Sequence, residues 1–137
     1  MLFVYELEPV NVTGVSTIPY SDDVLDPSVS LLQLADVSKV LEVPKARVEQ
    51  MLRDRQLLAV KRNRVPGVPE VFLDARNGQI VKGLPGLLAV LHDGGYRDEE
   101  ILKWLFEEDP SLPGTPAEAL HGDLMREVIR RAQAMAF

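Results

Sequence analysis

The stretch LADVSKVLEVPKARVEQMLRDRQLLAVKRNR, residues 34–64, decides how the rest of the chain is read. Leu34, Val37, Val40 and Leu41 recur at the spacing of one helical face, so residues 32–41 predict a short amphipathic helix. Glu42, Val43 and Pro44 interrupt it, because proline disfavours helix in the residue before it and suits the first turn of the next one. A second helix is predicted from Pro44 or Lys45 to Arg55, with Val48, Met51 and Leu52 as its buried stripe. Projected at about 100° per residue, Ala46, Arg47, Gln50 and Arg53 fall on the side away from Val48 and Leu52. Two short helices joined by a tight turn make a helix-turn-helix arrangement, although a plain αα-hairpin with a solvated charged face has the same spacing.

The residues that follow favour the first alternative. Leu57, Leu58 and Val60 precede Lys61, Arg62, Asn63 and Arg64, then VPGVPE supplies two prolines and a glycine before Val71, Phe72 and Leu73. This predicts a β-hairpin with a basic tip bearing the Pro/Gly segment, the form of a wing, whose cations can reach phosphates or a minor groove. Charge segregation points the same way. From Ser38 to Arg64 eight basic residues face three acidic ones, a local +5 in a chain of net charge −6, so the remainder carries −11. A local positive field attracts a polyanion even on an acidic protein.

These residues, extended to Leu73, resemble the winged helix-turn-helix of excisionase and MerR-type DNA-binding domains, with Arg55 where many members carry Gly after the second helix. A longer resemblance takes in IPYSDDVLDP (18–27), VFLDARNGQIVKGLPGLLAVLHDGGYRDEEILKWLFEEDPSL (71–112) and EVIRRAQAMAF (127–137). Together they are similar to an actinobacterial winged-helix DNA-binding family that includes a mycobacterial serine/threonine-kinase substrate. The resemblance implies an N-terminal DNA-binding domain, a helical C-terminal domain specific to the family, and phosphorylation of the N-terminal arm by a serine/threonine kinase. Thr13 and Thr17 are the candidate acceptors in that arm.

The arm, residues 1–28, holds Glu6, Glu8, Asp22, Asp23 and Asp26 with no Lys or Arg, punctuated by Pro9, Gly14, Pro19 and Pro27. It reads as acidic and partly disordered, so a chain without it is expected to fold. Residues 29–75 form the predicted winged helix-turn-helix, and residues 76–137 a helical C-terminal domain. In the latter, Leu84, Leu87, Leu88 and Leu91 predict a helix stopped by Asp93, Gly94 and Gly95. Asp98, Glu99 and Glu100 favour the start of another, because carboxylates complement a helix N-terminus. Its Ile101, Leu102, Trp104, Leu105 and Phe106 are read as core; a turn of helix near Pro116 to Leu120 and a last helix from Asp123 to Met135 follow. The fold class expected is mainly α with a small β-hairpin wing. WLFEEDPSLPGTPAEAL (104–120) also resembles the C-terminal domain of toxin-binding antitoxins, through a core Trp, a Pro/Gly loop and a capping Thr115.

Several chemistries find no support. The chain has no cysteine, hence no disulfide, thiolate nucleophile or Cys-based zinc site. His92 and His121, the only histidines, lack metal-ligand spacing, and His92 beside Asp93 is better read as a helix-end residue favoured by the dipole than as a catalytic pair. No enzyme activity, cofactor or metal is expected, no apolar run suggests a membrane span, and the cytoplasm is the default location. The reading is a DNA-binding protein, a transcriptional or nucleoid-associated regulator, whose partner is double-stranded DNA. Arg47, Gln50 and Arg53 are candidates for the groove; Lys45, Lys61, Arg62 and Arg64 are candidates for phosphate contact. The alternative is an antitoxin-like adaptor acting through its C-terminal domain.

Overall fold

The computed structural model describes residues 17–137. The described chain runs β1 (Tyr20–Asp22), β2 (Leu31–Leu32), α1 (Leu34–Leu41), α2 (Lys45–Arg53), β3 (Ala59–Arg62) and β4 (Val65–Pro69). A 3-10 turn (Glu70–Phe72) then leads to β5 (Leu73–Asp74), β6 (Gln79–Ile80), α3 (Leu84–Asp93), α4 (Asp98–Leu105), α5 (Pro116–Ala119) and α6 (Met125–Ala136). Six helices beside a small sheet match the expected class.

Each turn around α2 is made by a residue in the left-handed region. Glu42 (φ 56°) ends α1, its neighbour Val43 donating its backbone N–H to Ser38 O at 3.1 Å while the Ser38 hydroxyl donates to Val43 O. Pro44, extended at φ −63° and ψ 153°, then starts α2 without needing an N–H of its own. At the far end Arg55 (φ 57°) occupies the position where glycine is common, and Gln56 N donates to Met51 O at 3.0 Å to close the helix. A side chain here costs on the order of 1 kcal/mol, and this one is tied down: Arg55 Nη1 lies 2.5 Å from Asp98 Oδ1, which His92 Nε2 also meets at 2.7 Å. The partner of His92 is therefore Asp98, across the α3–α4 turn.

The wing differs from expectation in register. Asn63 and Arg64, at φ 52° and 68°, form a two-residue turn between the paired residues Arg62 and Val65. Positive φ at both positions suits the right-handed twist of a hairpin, and asparagine tolerates it better than most residues. The prolines and glycine therefore lie within β4 and not at the tip, while Val71 and Phe72 belong to the 3-10 turn. Gly67 sits where a Cβ would come within 3.0 Å of Leu31 Cβ, so β2 can approach β4 only because that position is bare.

The largest correction concerns the arm. The sheet order is β1-β3-β4-β2, with β1 parallel to β3 in the register Tyr20 to Ala59 and Asp22 to Lys61. Residues 20–32 thus supply both outer strands, and Leu25 is buried. Arg62 holds this segment in place: Nε donates to Asp23 Oδ2 at 2.7 Å, and the guanidinium also donates to the carbonyls of Asp26 (3.2 Å), Pro27 (3.3 Å) and Val29 (2.8 Å). The remaining arm residues, 1–16 with Thr13, lie outside the described residues.

The two halves share one core. Val37, Val48, Leu52, Leu57 and Phe72 are continuous with Leu84, Leu88, Leu102, Leu105 and Val128, and the Phe72 and Phe106 rings meet at 5.6 Å. His121 Nε2 adds a hydrogen bond to Val71 O at 2.6 Å. The β5–β6 hairpin spans the boundary expected at residue 75. Trp104 is half-buried at the edge of the bundle and not central to it; Ile101, Leu102 and Leu105 carry the buried face of α4. Thr115 caps α5 as expected, accepting from Glu118 N at 3.2 Å while Glu118 Oε1 accepts from Thr115 N at 2.9 Å.

Arg62→Ala should destabilise the chain by about 2 to 4 kcal/mol, since it leaves a partly buried carboxylate and three carbonyls without their donor. The corresponding drop in Tm is on the order of 10 °C, read by circular dichroism. Deletion of residues 1–28 should cost at least as much, in contrast to the tolerance expected for a free arm. The Arg62 hydrogen bond holds the Asp23 carboxyl below its usual range. A depressed folded-state value means that the contribution is complete above about pH 4, the unfolded carboxylate range, and is lost as the pH falls through the folded value. Urea unfolding should therefore show a stability gap between the native chain and Asp23→Asn at pH 7 that shrinks toward pH 3.

Candidate nucleic-acid interface

The outward face of α2 is built by exclusion. Val48 and Leu52 are buried, so Lys45, Ala46, Arg47 and Gln50, between and opposite them, are exposed. Among the described residues, Lys45 and Arg47 make no ion pair and no side-chain hydrogen bond. Gln50 is engaged on both sides of its amide: Oε1 accepts from Arg53 Nη1 at 3.2 Å, and Nε2 donates to Asp54 Oδ1 at 2.9 Å. Arg53 is only partly exposed, and its Nε is buried without a partner. Its guanidinium is turned back along the helix toward Gln50.

Tyr20 sits beside the first wing strand. Lys61 Nζ sits 5.3 Å from the centre of the Tyr20 ring, within cation–π range. Burial pushes the Tyr20 hydroxyl above its usual range and the Glu49 carboxylate adds to that, while the Arg53 charge opposes it. The β1 tyrosine therefore lies under the Lys61 side chain of the first wing strand and within electrostatic reach of Glu49 and Arg53 on α2, a proximity that no short-range pattern in the sequence marks.

The expected phosphate contacts separate into different roles. Arg62 faces inward, its guanidinium consumed by the loop between β1 and β2. Lys61 is exposed but drawn over Tyr20. Arg64 is exposed at the turn, with no ion pair among the described residues, and Val65 beside it is 44% exposed. Thr17 is exposed three residues before β1. No group of three or more His, Cys, Asp or Glu residues that could hold a metal occurs among the described residues. None of the described helices is long and apolar enough to cross a membrane.

Residues 17–73 match the family described as "DNA-binding protein Rv2175c, wHTH domain", and residues 81–136 match "Rv2175c C-terminal domain of unknown function". The chain is 49% identical over 135 residues to the protein named DNA-binding protein Rv2175c from Mycobacterium tuberculosis (strain ATCC 25618 / H37Rv), an alignment covering 90% of this chain and 92% of that one. The NMR structure of Rv2175c superposes with a TM-score of 0.78 at 48% identity, covering 88% of this chain and 90% of the other. Both matched regions begin and end close to the structural boundaries, at β1 and on either side of the β5–β6 hairpin. The chain belongs to the Rv2175c family, as a winged helix-turn-helix joined to that family's C-terminal domain.

Proposed function

We propose that this protein binds duplex DNA with the outward face of α2 and the turn of the β3–β4 wing, and that it acts as a transcriptional or nucleoid-associated regulator. The name of the relative and the description of the matched domain support the first part. The observation that carries the mechanism is the contrast between two arginines in the left-handed region. Arg55 at φ 57° is paired with Asp98, and its conformational cost is offset inside the molecule. Arg64 at φ 68° has no such partner among the described residues, although glycine would fill the turn at lower cost. A strained, exposed and unpaired cation at the tip of a braced hairpin is explained by a partner that it contacts.

Arg47 would hydrogen-bond guanine or a phosphate and Gln50 would read adenine, with Lys45 and Arg64 on the backbone. Thr17, exposed just before β1 and open to a serine/threonine kinase, would add about two negative charges to this domain when phosphorylated and would weaken binding to a polyanion. The adaptor reading has one observation in its favour: an open groove of about 650 Å³ between the two halves, lined by Asp26, Glu70, Phe106, Glu108 and Glu118. It would suit a basic segment of another protein.

Fluorescence anisotropy on a selected duplex should show log K falling with log salt at a slope of about −3 to −4, the response to three or four phosphate contacts; a flat response would contradict the reading. Arg47→Ala should cost about 1 to 3 kcal/mol on the selected site and much less on a scrambled duplex. Arg64→Gly should separate stability from binding. It creates an Asn-Gly turn, so folding gains about 0.5 to 1 kcal/mol, while affinity for both duplexes falls and the salt slope loses about 1 unit.

A further inference from the structure

Gln50 stands on the proposed interface with its amide already held on both sides. An amide oxygen has two acceptor positions and an amide nitrogen two donor hydrogens. Arg53 Nη1 takes one of the former at 3.2 Å, and Asp54 Oδ1 takes one of the latter at 2.9 Å. One acceptor and one donor remain, and the amide cannot turn over, because the reversed orientation would set its NH2 against the Arg53 guanidinium and its oxygen against the Asp54 carboxylate. An adenine edge in the major groove offers N7 as acceptor and N6–H2 as donor, the complement of that remaining pair. Guanine offers two acceptors there, which a single remaining donor cannot satisfy.

We infer that Arg53 and Asp54 are positioning residues that clamp the Gln50 amide in the one orientation suited to an adenine, so that specificity at that base pair is set by three side chains and not by Gln50 alone. Arg53 is thereby reassigned from the base contact expected of it. Its Nε is buried and its guanidinium is committed to Gln50, which leaves it poorly placed to reach a base edge as well. The clamp also accounts for a carboxylate at the end of a helix proposed to face a polyanion. Asp54 is exposed at the C-cap of α2, where a negative charge opposes both the helix dipole and the DNA backbone. Orientation of Gln50 is what that position offers in return.

The inference rests on the DNA-binding reading, and the test separates the two. Duplexes selected by the full chain are altered one base pair at a time, and the pair at which Gln50→Ala loses discrimination is identified; it should be A·T, with a loss between about 5-fold and 150-fold. At that pair Asp54→Ala should lose discrimination by a similar factor, whereas Asp54→Asn, whose side-chain oxygen still accepts from Gln50 Nε2, should retain most of it. Both Asp54 variants remove the same charge, so a purely electrostatic role would make them behave alike, tightening binding to every duplex equally. Arg53→Met, which keeps the packed stem, should also lose the preference for adenine, and circular dichroism should show each variant folded. Equal discrimination by Asp54→Ala, Asp54→Asn and the native chain would overturn the clamp while leaving DNA binding intact. Discrimination centred on G·C would also overturn it. No binding of any duplex by the native chain would overturn both readings.

Discussion

One guanidinium sets the form of the N-terminal half. Arg62 lies near the end of the first wing strand, and its donors fan out to the Asp23 carboxylate and to the carbonyls of Asp26, Pro27 and Val29. The loop from Asp23 to Ser30, which links the two outer strands of the sheet, is therefore wrapped around a residue of the central hairpin. A lysine could not replace it, because a point-like ammonium cannot serve a carboxylate and three carbonyls in one planar array. With this brace in place β1 pairs with β3 and β2 with β4, and the turn at Asn63 and Arg64 projects from a four-stranded sheet. An isolated two-stranded ribbon would be marginal in water.

The same logic of pairing divides the other cations. Arg55 reaches from the end of α2 to Asp98 and His92, tying the helix-turn-helix to α3 and α4 across a shared core. Arg97, Arg130 and Arg131 pair with carboxylates of the C-terminal half. Among the described residues, Lys45, Arg47 and Arg64 are the cations left without an ion pair or side-chain hydrogen bond on the outer face of α2 and at the wing turn, and that residue set is the proposed surface. Net positive charge over residues 38–64 overstates it, since two of the arginines counted there, Arg55 and Arg62, are consumed internally.

Helices were legible in the sequence because their apolar residues recur on one face at helical spacing. The stripes of Leu34, Val37 and Leu41, of Val48 and Leu52, and of Leu84 to Leu91 each identify a helix that the structure contains. Strands of two or three residues offer no alternation to read, so no sequence pattern marks β1, β2, β5 or β6. Proline and glycine in VPGVP drew the wing turn toward themselves, although the chain turns two residues earlier on Asn63, and Gly67 serves the close approach of Leu31. The arm looked solvated because its charges are all acidic. Asp23 is instead the counterion of an arginine 39 positions away, a pairing visible only after folding. The sequence marks the candidate DNA contacts only as one basic set; which of them are paired internally depends on which carboxylates the fold brings near.

The fold uses Arg62 and Arg55 internally, and the surface proposed to meet DNA is the outer face of α2 with the Arg64 turn. Amide chemical-shift mapping of the labelled full chain during titration with a selected duplex distinguishes this surface from the groove between the two halves. This surface predicts the largest changes at residues 44–51 and 63–66, with small changes at Arg62 and Arg55 and near silence along α5 and α6. Changes concentrated around Phe106, Glu108 and Glu118, with α2 and the wing turn unmoved, would contradict it.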